Sequence, residues 1–204
     1  MTAALAERCA VDEQPPSWEY LLEVWQQLDV PEGWRAEIDE GQITLVPLPD
    51  TGHNYIAGRV HRALSRALPD TWDVYQTLGV HIVRQDRLYI PDLVVMPVEL
   101  LAKRIRKRDK GPLDAAEAEA AMVVEITSSG NAGHDRATKL HAYAHAQVPH
   151  YLLIDRYAES GPETTLYSRP EDGSYRLGVR RPFGELVELP EPFSAGLDTS
   201  GFLV

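Results

Sequence analysis

Residues Met122 to Asp155 read MVVEITSSGNAGHDRATKLHAYAHAQVPHYLLID, and this stretch decides the fold. It opens with the apolar run Ala121-Met122-Val123-Val124, which delivers a carboxylate, Glu125, before Ser, Gly and Asn break the pattern. Such a run reads as a buried strand with an acid at its carboxyl end. From Asp135 to Gln147 the residues are helix formers. Ala137, Leu140 and Ala144 recur at helical spacing, and Asp135, Lys139 and Tyr143 recur every four residues along another stripe. Val148-Pro149 ends that helix, because proline cannot continue it. His150 to Asp155 then reads as a second buried strand. Strand, helix and strand in this order form a βαβ crossover, with the two strands parallel and the helix on one face. Ligands in such sheets gather at the carboxyl ends of the strands, which is where Glu125 stands.

Upstream, Leu88 to Met96 is another apolar strand with one acid, Asp92, inside it. A carboxylate among Ile, Leu and Val is costly to bury unless it is paired, hydrogen-bonded or bound to a metal. Pro91 lacks an amide hydrogen and marks an edge or a strand start.

Pro91-Asp92, Val124-Glu125-Ile126-Thr127-Ser128, Asp135-Arg136-Ala137-Thr138-Lys139 and His150-Tyr151-Leu152-Leu153-Ile154-Asp155, in that order, resemble the PD-(D/E)xK nuclease superfamily. The chain is more closely similar to its Uma-type family of restriction-endonuclease-like proteins, a resemblance running from about Tyr20 to Val204. One position departs from the superfamily pattern: two residues after Glu125 stands Thr127, not lysine, so the resemblance points to Lys139 on the next helix. It implies an α/β (α+β) fold of the restriction-endonuclease type, a mixed central sheet flanked by helices with additional antiparallel strands. It also implies a Mg2+- or Mn2+-dependent endonuclease acting on DNA as a homodimer. Asp92, Glu125 and the Ile126 carbonyl would hold the metal, and Asp92, Glu125 and Lys139 would carry the chemistry. Glu37, His53 and Asp135 would support them, Asp135 by orienting Lys139 one turn away.

Each of these residues has a competing reading. Asp92 and Glu125 could be buried acids held by backbone amides or by Lys139 without metal. Lys139 could be a surface partner of Asp135, Glu37 a solvent-facing strand residue, His53 a holder of a helix start, and Tyr143 a packing residue. The whole chain could be a nuclease fold that binds or scaffolds and cleaves nothing, a reading that Thr127 and an acidic surface encourage.

The sequence has 204 residues, 44% hydrophobic and 25% charged, as expected for a globular domain. One domain over residues 17–204, behind a flexible arm at 1–16, accounts for that length. No apolar run approaches the roughly 20 residues of a bilayer span, and the start MTAALAERCAVDEQ lacks the features of a secretory signal, so a cytoplasmic location is expected. The only cysteine, Cys9, excludes an intrachain disulfide.

A net charge of −11 argues against a protein that coats nucleic acid by bulk electrostatics. Yet Lys103, Arg104, Arg106, Lys107, Arg108 and Lys110, against Asp109, concentrate positive charge between the two acid strands. A mobile basic loop there would contact a phosphate backbone, and a solvated loop balancing an acidic surface is the alternative.

The rest reads as supporting structure. Ser17 caps a helix from Trp18 to about Leu28 with Tyr20, Leu21, Val24, Trp25 and Leu28 on one face. Trp34–Asp39 and Gln42–Val46 form a hairpin. A helix from His53 to Leu68 carries Arg59, Arg62 and Arg66 on one side, a solvated face or a nucleic-acid guide. Asp73–Val83 alternates as one half-buried strand and pairs with the Asp92 strand. Thr164–Ser168, Ser174–Val179 and Glu185–Leu189 are short strands that extend the sheet or pair with a partner subunit. His141 and His145 have ligand spacing but lack the glutamate of the zinc-protease motif. No glycine-rich phosphate loop and no Gly-x-Ser-x-Gly elbow is present.

Overall fold

The computed structural model describes residues 16–109, 111–116 and 119–203. Residues 1–15 of the expected arm, Cys9, Lys110 and Val204 lie outside the described residues. Helix α1 (Trp18–Gln27) leads into the hairpin β1 (Trp34–Asp39) and β2 (Gln42–Pro47). Helix α2 (Thr51–Ala67) and strands β3 (Trp72–Tyr75), β4 (Val80–Ile82), β5 (Arg87–Tyr89) and β6 (Leu93–Pro97) follow. Then come helix α3 (Val98–Lys107), the short β7 (Leu113–Asp114) and β8 (Met122–Ile126). The crossover helix starts as α4 (Ala132–His134), widens to π geometry over Asp135–Lys139 and closes as α5 (Leu140–His145). Strands β9 (His150–Asp155), β10 (Glu163–Glu171), β11 (Ser174–Pro182), β12 (Leu186–Leu189) and β13 (Ala195–Asp198) complete the chain.

Local chemistry sets several of these boundaries. The Ser17 hydroxyl accepts from the Tyr20 amide at 3.3 Å and starts α1. Asp50 does the same for α2, accepting from the His53 amide at 2.8 Å, so α2 starts before His53 rather than at it. The β1–β2 turn uses Glu40 and Gly41, both at positive φ (48° and 75°), which glycine adopts freely. On α1, Leu21 is buried against β1 and β5, whereas Tyr20 and Leu28, expected on the buried face, are exposed.

A six-stranded sheet runs β11-β10-β9-β8-β6-β3, and a five-stranded one β2-β1-β5-β4-β7. The β8–β9 pair is parallel, as the crossover predicts, while every other pair in the larger sheet is antiparallel. Two expected strands each break in two and change sheets. Asp73–Val83 divides into β3 in the larger sheet and β4 in the smaller, with Thr77 at φ 57° between them. Leu88–Met96 divides into β5 and β6 across Ile90-Pro91-Asp92, where proline cannot extend the ladder. Asp92 therefore sits where the chain passes from one sheet to the other. The Glu185–Leu189 segment also differs from expectation: β12 pairs with β13 in a separate ribbon, while β10 and β11 do extend the larger sheet.

The larger sheet buries both faces, and period-two alternation divides its residues between them. Met122, Val124, Leu152 and Ile154 pack with Ile56, Val60 and Leu64 of α2 and with Val187, Leu197 and Phe202. Val94, Val123 and Leu153 pack on the other side with Ala142 and Tyr143 of α5 and with Tyr151. No helix among the described residues is long and apolar enough to cross a membrane.

Candidate active site between the two sheets

The register of β6 and β8 places Leu93 opposite Val124, so the next pair outward is Asp92 and Glu125. These carboxylates from neighbouring strands open the site, and both are buried. Asp92 Oδ2 accepts from the Ile126 amide at 2.8 Å and lies 3.0 Å from His53 Nε2, while Oδ1 meets Arg35 Nη1 at 3.4 Å. Burial alone would raise its pKa, but His53, Arg35 and the Ile126 amide outweigh it and hold the carboxyl below the usual range.

Glu125 is met by different partners. Its Oε1 accepts from Lys139 Nζ at 3.1 Å and from the Tyr143 hydroxyl at 3.0 Å. Tyr143, expected as a packing residue, packs and donates at once. Burial holds this phenol well above its ordinary pKa, with Glu125 reinforcing, so the proton stays on Tyr143.

Lys139 is the centre of the cluster at 1% exposure. Besides Glu125, its ammonium lies 3.4 Å from Glu37 Oε1 and 3.6 Å from Asp135 Oδ1, and 5.4 Å from the Tyr89 ring centroid. Burial opposes its charge, but Glu125, Glu37 and Asp135 overcome that and raise its pKa. Glu37 arrives from β1, its Oε1 also accepting from the Ile90 amide at 3.0 Å. It is buried, not solvent-facing. Asp135 and Lys139 both point inward from the π-type stretch, a widened turn of the kind frequent at functional sites.

Four carboxylates thus share one buried lysine and the partly buried Arg35, an excess of negative charge. Both Asp135 side-chain oxygens are buried and lack a hydrogen-bond partner. Burial first, and neighbouring acids second, push Asp135 up to about 6 and Glu125 well above its ordinary range, with Lys139 opposing in both. An all-oxygen donor set with surplus negative charge suits a hard divalent cation such as Mg2+. The donor chemistry of Asp92, Glu125 and the Ile126 carbonyl fits. As the side chains stand, no three or more His, Cys, Asp or Glu among the described residues are gathered into a ligating group, because Lys139 and Arg35 lie between the acids.

Two cavities lie beside this cluster. One, of about 440 Å3, is lined by Arg35, His53 and Ile126 below, by the 44–49 segment of β2 and its exit on one wall, and by Ser128–Asn131 on the other. The second, of about 370 Å3, is lined by Glu37, Asp39, Gly133 and His134 and shares Thr44, Val46, Gly130 and Asn131 with the first.

Other expected groups stand elsewhere. The basic run is not a loop beside the acids. Lys103, Arg104, Arg106 and Lys107 belong to α3, which leaves the end of β6 opposite Asp92, about 16 Å along the strand. Arg108 follows at its C-cap. A run of good helix formers continues the chain as a helix there. Arg104 is tied to the Gly111 and Pro112 carbonyls at 2.5 and 3.1 Å, and Arg106 to Glu99 at 2.6 Å. The histidines of the crossover helix do not form one group of three: His134 Nε2 meets Asp39 Oδ2 at 2.8 Å, whereas His141 Nδ1 meets the Gly173 carbonyl at 3.0 Å and the His145 ring lies beside the same glycine.

Several residues had no prior role. Arg35 could have been found from β1, where Arg35, Glu37 and Asp39 alternate with buried Ala36 and Ile38. Thr127, at the position of the superfamily lysine, is fully buried. Its hydroxyl donates to Asp155 at 3.2 Å and accepts from the Arg156 amide at 2.9 Å, latching the ends of β8 and β9. Asp155 in turn takes Arg136 through two nitrogens at 2.6 and 2.8 Å.

A family model described as Uma2, "Putative restriction endonuclease", matches residues 21–200. A solved structure titled as a "putative nuclease" of the DUF820 group, from Anabaena variabilis, superposes with a TM-score of 0.63 at 19% identity, covering 88% of this chain and 95% of that one. At that identity the likeness establishes the fold, a restriction-endonuclease-like one. No curated protein matches the chain.

Proposed function

The chain belongs to the Uma2 family of restriction-endonuclease-like proteins, and on that premise we propose that it is a metal-dependent endonuclease hydrolysing DNA phosphodiester bonds. The observation that carries this reading is Asp92 beside Glu125 on paired strands, with the buried ammonium of Lys139 3.1 Å from Glu125. Asp92, Glu125 and the Ile126 carbonyl would hold Mg2+ or Mn2+. Such an ion, when bound, neutralises phosphoryl charge and lowers the pKa of a coordinated water.

The chain's own groups then have definite tasks. Lys139 stays charged and offers N–H donors toward the phosphoryl oxygens as negative charge grows there. Glu37, Glu125 and Asp135 keep that ammonium in place, and Tyr143 fixes the Glu125 carboxylate through Oε1. His53 and Arg35 orient Asp92. Hydrolysis joins a water oxygen to phosphorus and breaks a phosphorus–oxygen ester bond. The water proton passes to a carboxylate of the cluster, and the leaving oxygen takes a proton from solvent. The reading carries a cytoplasmic location, one domain over 17–204 and a homodimer that brings two sites together.

A second reading, a nuclease fold that binds without cleaving, is favoured by one observation: Lys139 and Arg35 already neutralise much of the acid cluster. Cleavage separates the two. Wild-type protein with Mn2+ should cleave DNA, and Asp92→Asn and Glu125→Gln should each lose at least about a hundredfold in rate. Equal activity in the variants would refute the assignment, and an inert wild type that still binds DNA would favour the second reading.

A further inference from the structure

Resting on that nuclease reading and narrowing its substrate, we infer that the site accepts an unpaired polynucleotide strand rather than a duplex. The cleft between β2 and Ser128–Asn131 binds the phosphate at Arg35 and His53 and the base on Val46 and Leu48.

The first ground is depth. Asp92, Glu125 and Glu37 are 8%, 1% and 4% exposed, so the reacting phosphate must come down to them. The way down is the cavity of about 440 Å3 over Arg35, His53 and Ile126, the three residues whose nitrogens touch Asp92. That volume lies in the roughly 300–1,000 Å3 range of pockets enclosing a drug-sized molecule, the scale of a nucleotide unit. The two cavities share Thr44, Val46, Gly130 and Asn131, so they adjoin as one cleft whose lining reaches from His53 past Glu37 to His134. A strand can thread it, whereas a duplex would have to lift the reacting nucleotide out of its stack before its base could reach the wall, as enzymes acting on a base require.

The second ground is unpartnered donors and acceptors. His53 is 3% exposed and lines the cavity, and its Nδ1 has no hydrogen-bond partner. Arg35 Nε, from the same floor, is buried and likewise unpartnered, 3.9 Å from Glu37 and making no hydrogen bond. Buried polar atoms without partners are uncommon. A phosphate oxygen would accept from both, His53 then donating from each of its ring nitrogens, with Arg35 and His53 already braced by Asp92 through their other nitrogens.

The third ground is the wall. The pairing of β1 with β2 sets Arg35 opposite Val46 and Glu37 opposite Thr44, so the alternate positions Thr44, Val46 and Leu48 face the site. Leu48 is 60% exposed at the mouth. Apolar side chains beside a phosphate handle suit a base face, which a duplex hides by stacking. The charges agree: among the described residues lining the two cavities Arg35 is the one arginine and there is no lysine, against Glu37, Asp39 and Asp50. Duplex binders neutralise several phosphates with Lys and Arg.

The test is fluorescence anisotropy on the full chain with a labelled single strand of about 16 nucleotides, as DNA and as RNA, and with the same DNA strand annealed to its complement. Ca2+ replaces Mn2+ to hold back cleavage. The unpaired strand, of either sugar, should bind about tenfold or more tighter than the duplex, with a shallow salt dependence. The double variant Val46→Ser, Leu48→Ser should remove about tenfold of that affinity with an unchanged circular dichroism spectrum, while Arg59→Ala, Arg62→Ala, Arg66→Ala on α2 should leave it intact. A duplex bound as tightly as the single strand overturns the inference. So does binding that follows the α2 arginines instead of β2. Strand binding without Mn2+-dependent cleavage supports the cleft and sinks the nuclease reading. A metal bound at Asp92 and Glu125 with no strand binding does the reverse.

Discussion

Lys139 is the residue on which the site's electrostatics turn. Its ammonium is within 3.6 Å of three carboxylates and nearly inaccessible to water. Removing one member of a buried ionic group strands the others, so Lys139→Met should lower stability by about 3 kcal/mol in urea unfolding. A change within a few tenths would mean the acids are neutral already. Asp135 gives the complementary prediction. Its carboxyl is held near 6 in the folded chain and titrates near 4 when unfolded. Between those values the folded state binds the extra proton, so this group makes stability fall as pH rises from about 4 to about 6 and adds no further loss above. Asp135→Asn should flatten that decline and, in chelator, raise stability at pH 8 by on the order of 1–3 kcal/mol. An unchanged pH profile would remove the like-charge account. Asp92 and Glu125 were legible because a charge inside or at the end of an apolar run is conspicuous, and Lys139 because of the family resemblance and its four-residue spacing from Asp135. Arg35 was not, since an arginine on a hairpin strand reads as a surface residue until the strand's partners are known.

At the scale of elements, the crossover from β8 to β9 was legible in its strand, helix and strand order, since length, periodicity and Pro149 all agree. The broken strands were not. Val74, Gln76, Leu78, Val80 and Ile82 alternate without interruption, and nothing local says that Thr77 adopts φ 57° and sends the halves to different sheets. The π-type turn was equally silent. The Asp135-to-Lys139 stripe fits a regular helix equally well, so its spacing does not announce the widening. Thr127 ties β8 to β9 and predicts a mechanical role. Thr127→Val keeps the shape but leaves the Arg156 amide without its acceptor, so stability should drop by about 1–2 kcal/mol while metal stoichiometry stays the same. Loss of metal binding in a folded Thr127→Val protein would instead make this strand end part of the ligand set.

Across the whole molecule, the site lies where the chain passes between two sheets, with Glu37 brought from one and Glu125 from the other. Asp92 stands at the crossing. That arrangement concentrates carboxylates in a protein already at −11, and the basic helix α3 sits at the other end of β6, where it offsets charge without touching the acids. The fold class was legible from the sequence because four acid-bearing segments occur in a characteristic order. The two-sheet division was not, because sheet membership is decided by pairings distant in sequence. The most direct test of the account is calorimetric titration of Mn2+ and Mg2+ into the wild type, Asp92→Asn and Glu125→Gln. The account predicts one site in the wild type, lost in both variants with circular dichroism unchanged. No binding to the wild type, with or without an oligonucleotide, or equal binding to all three, would contradict it.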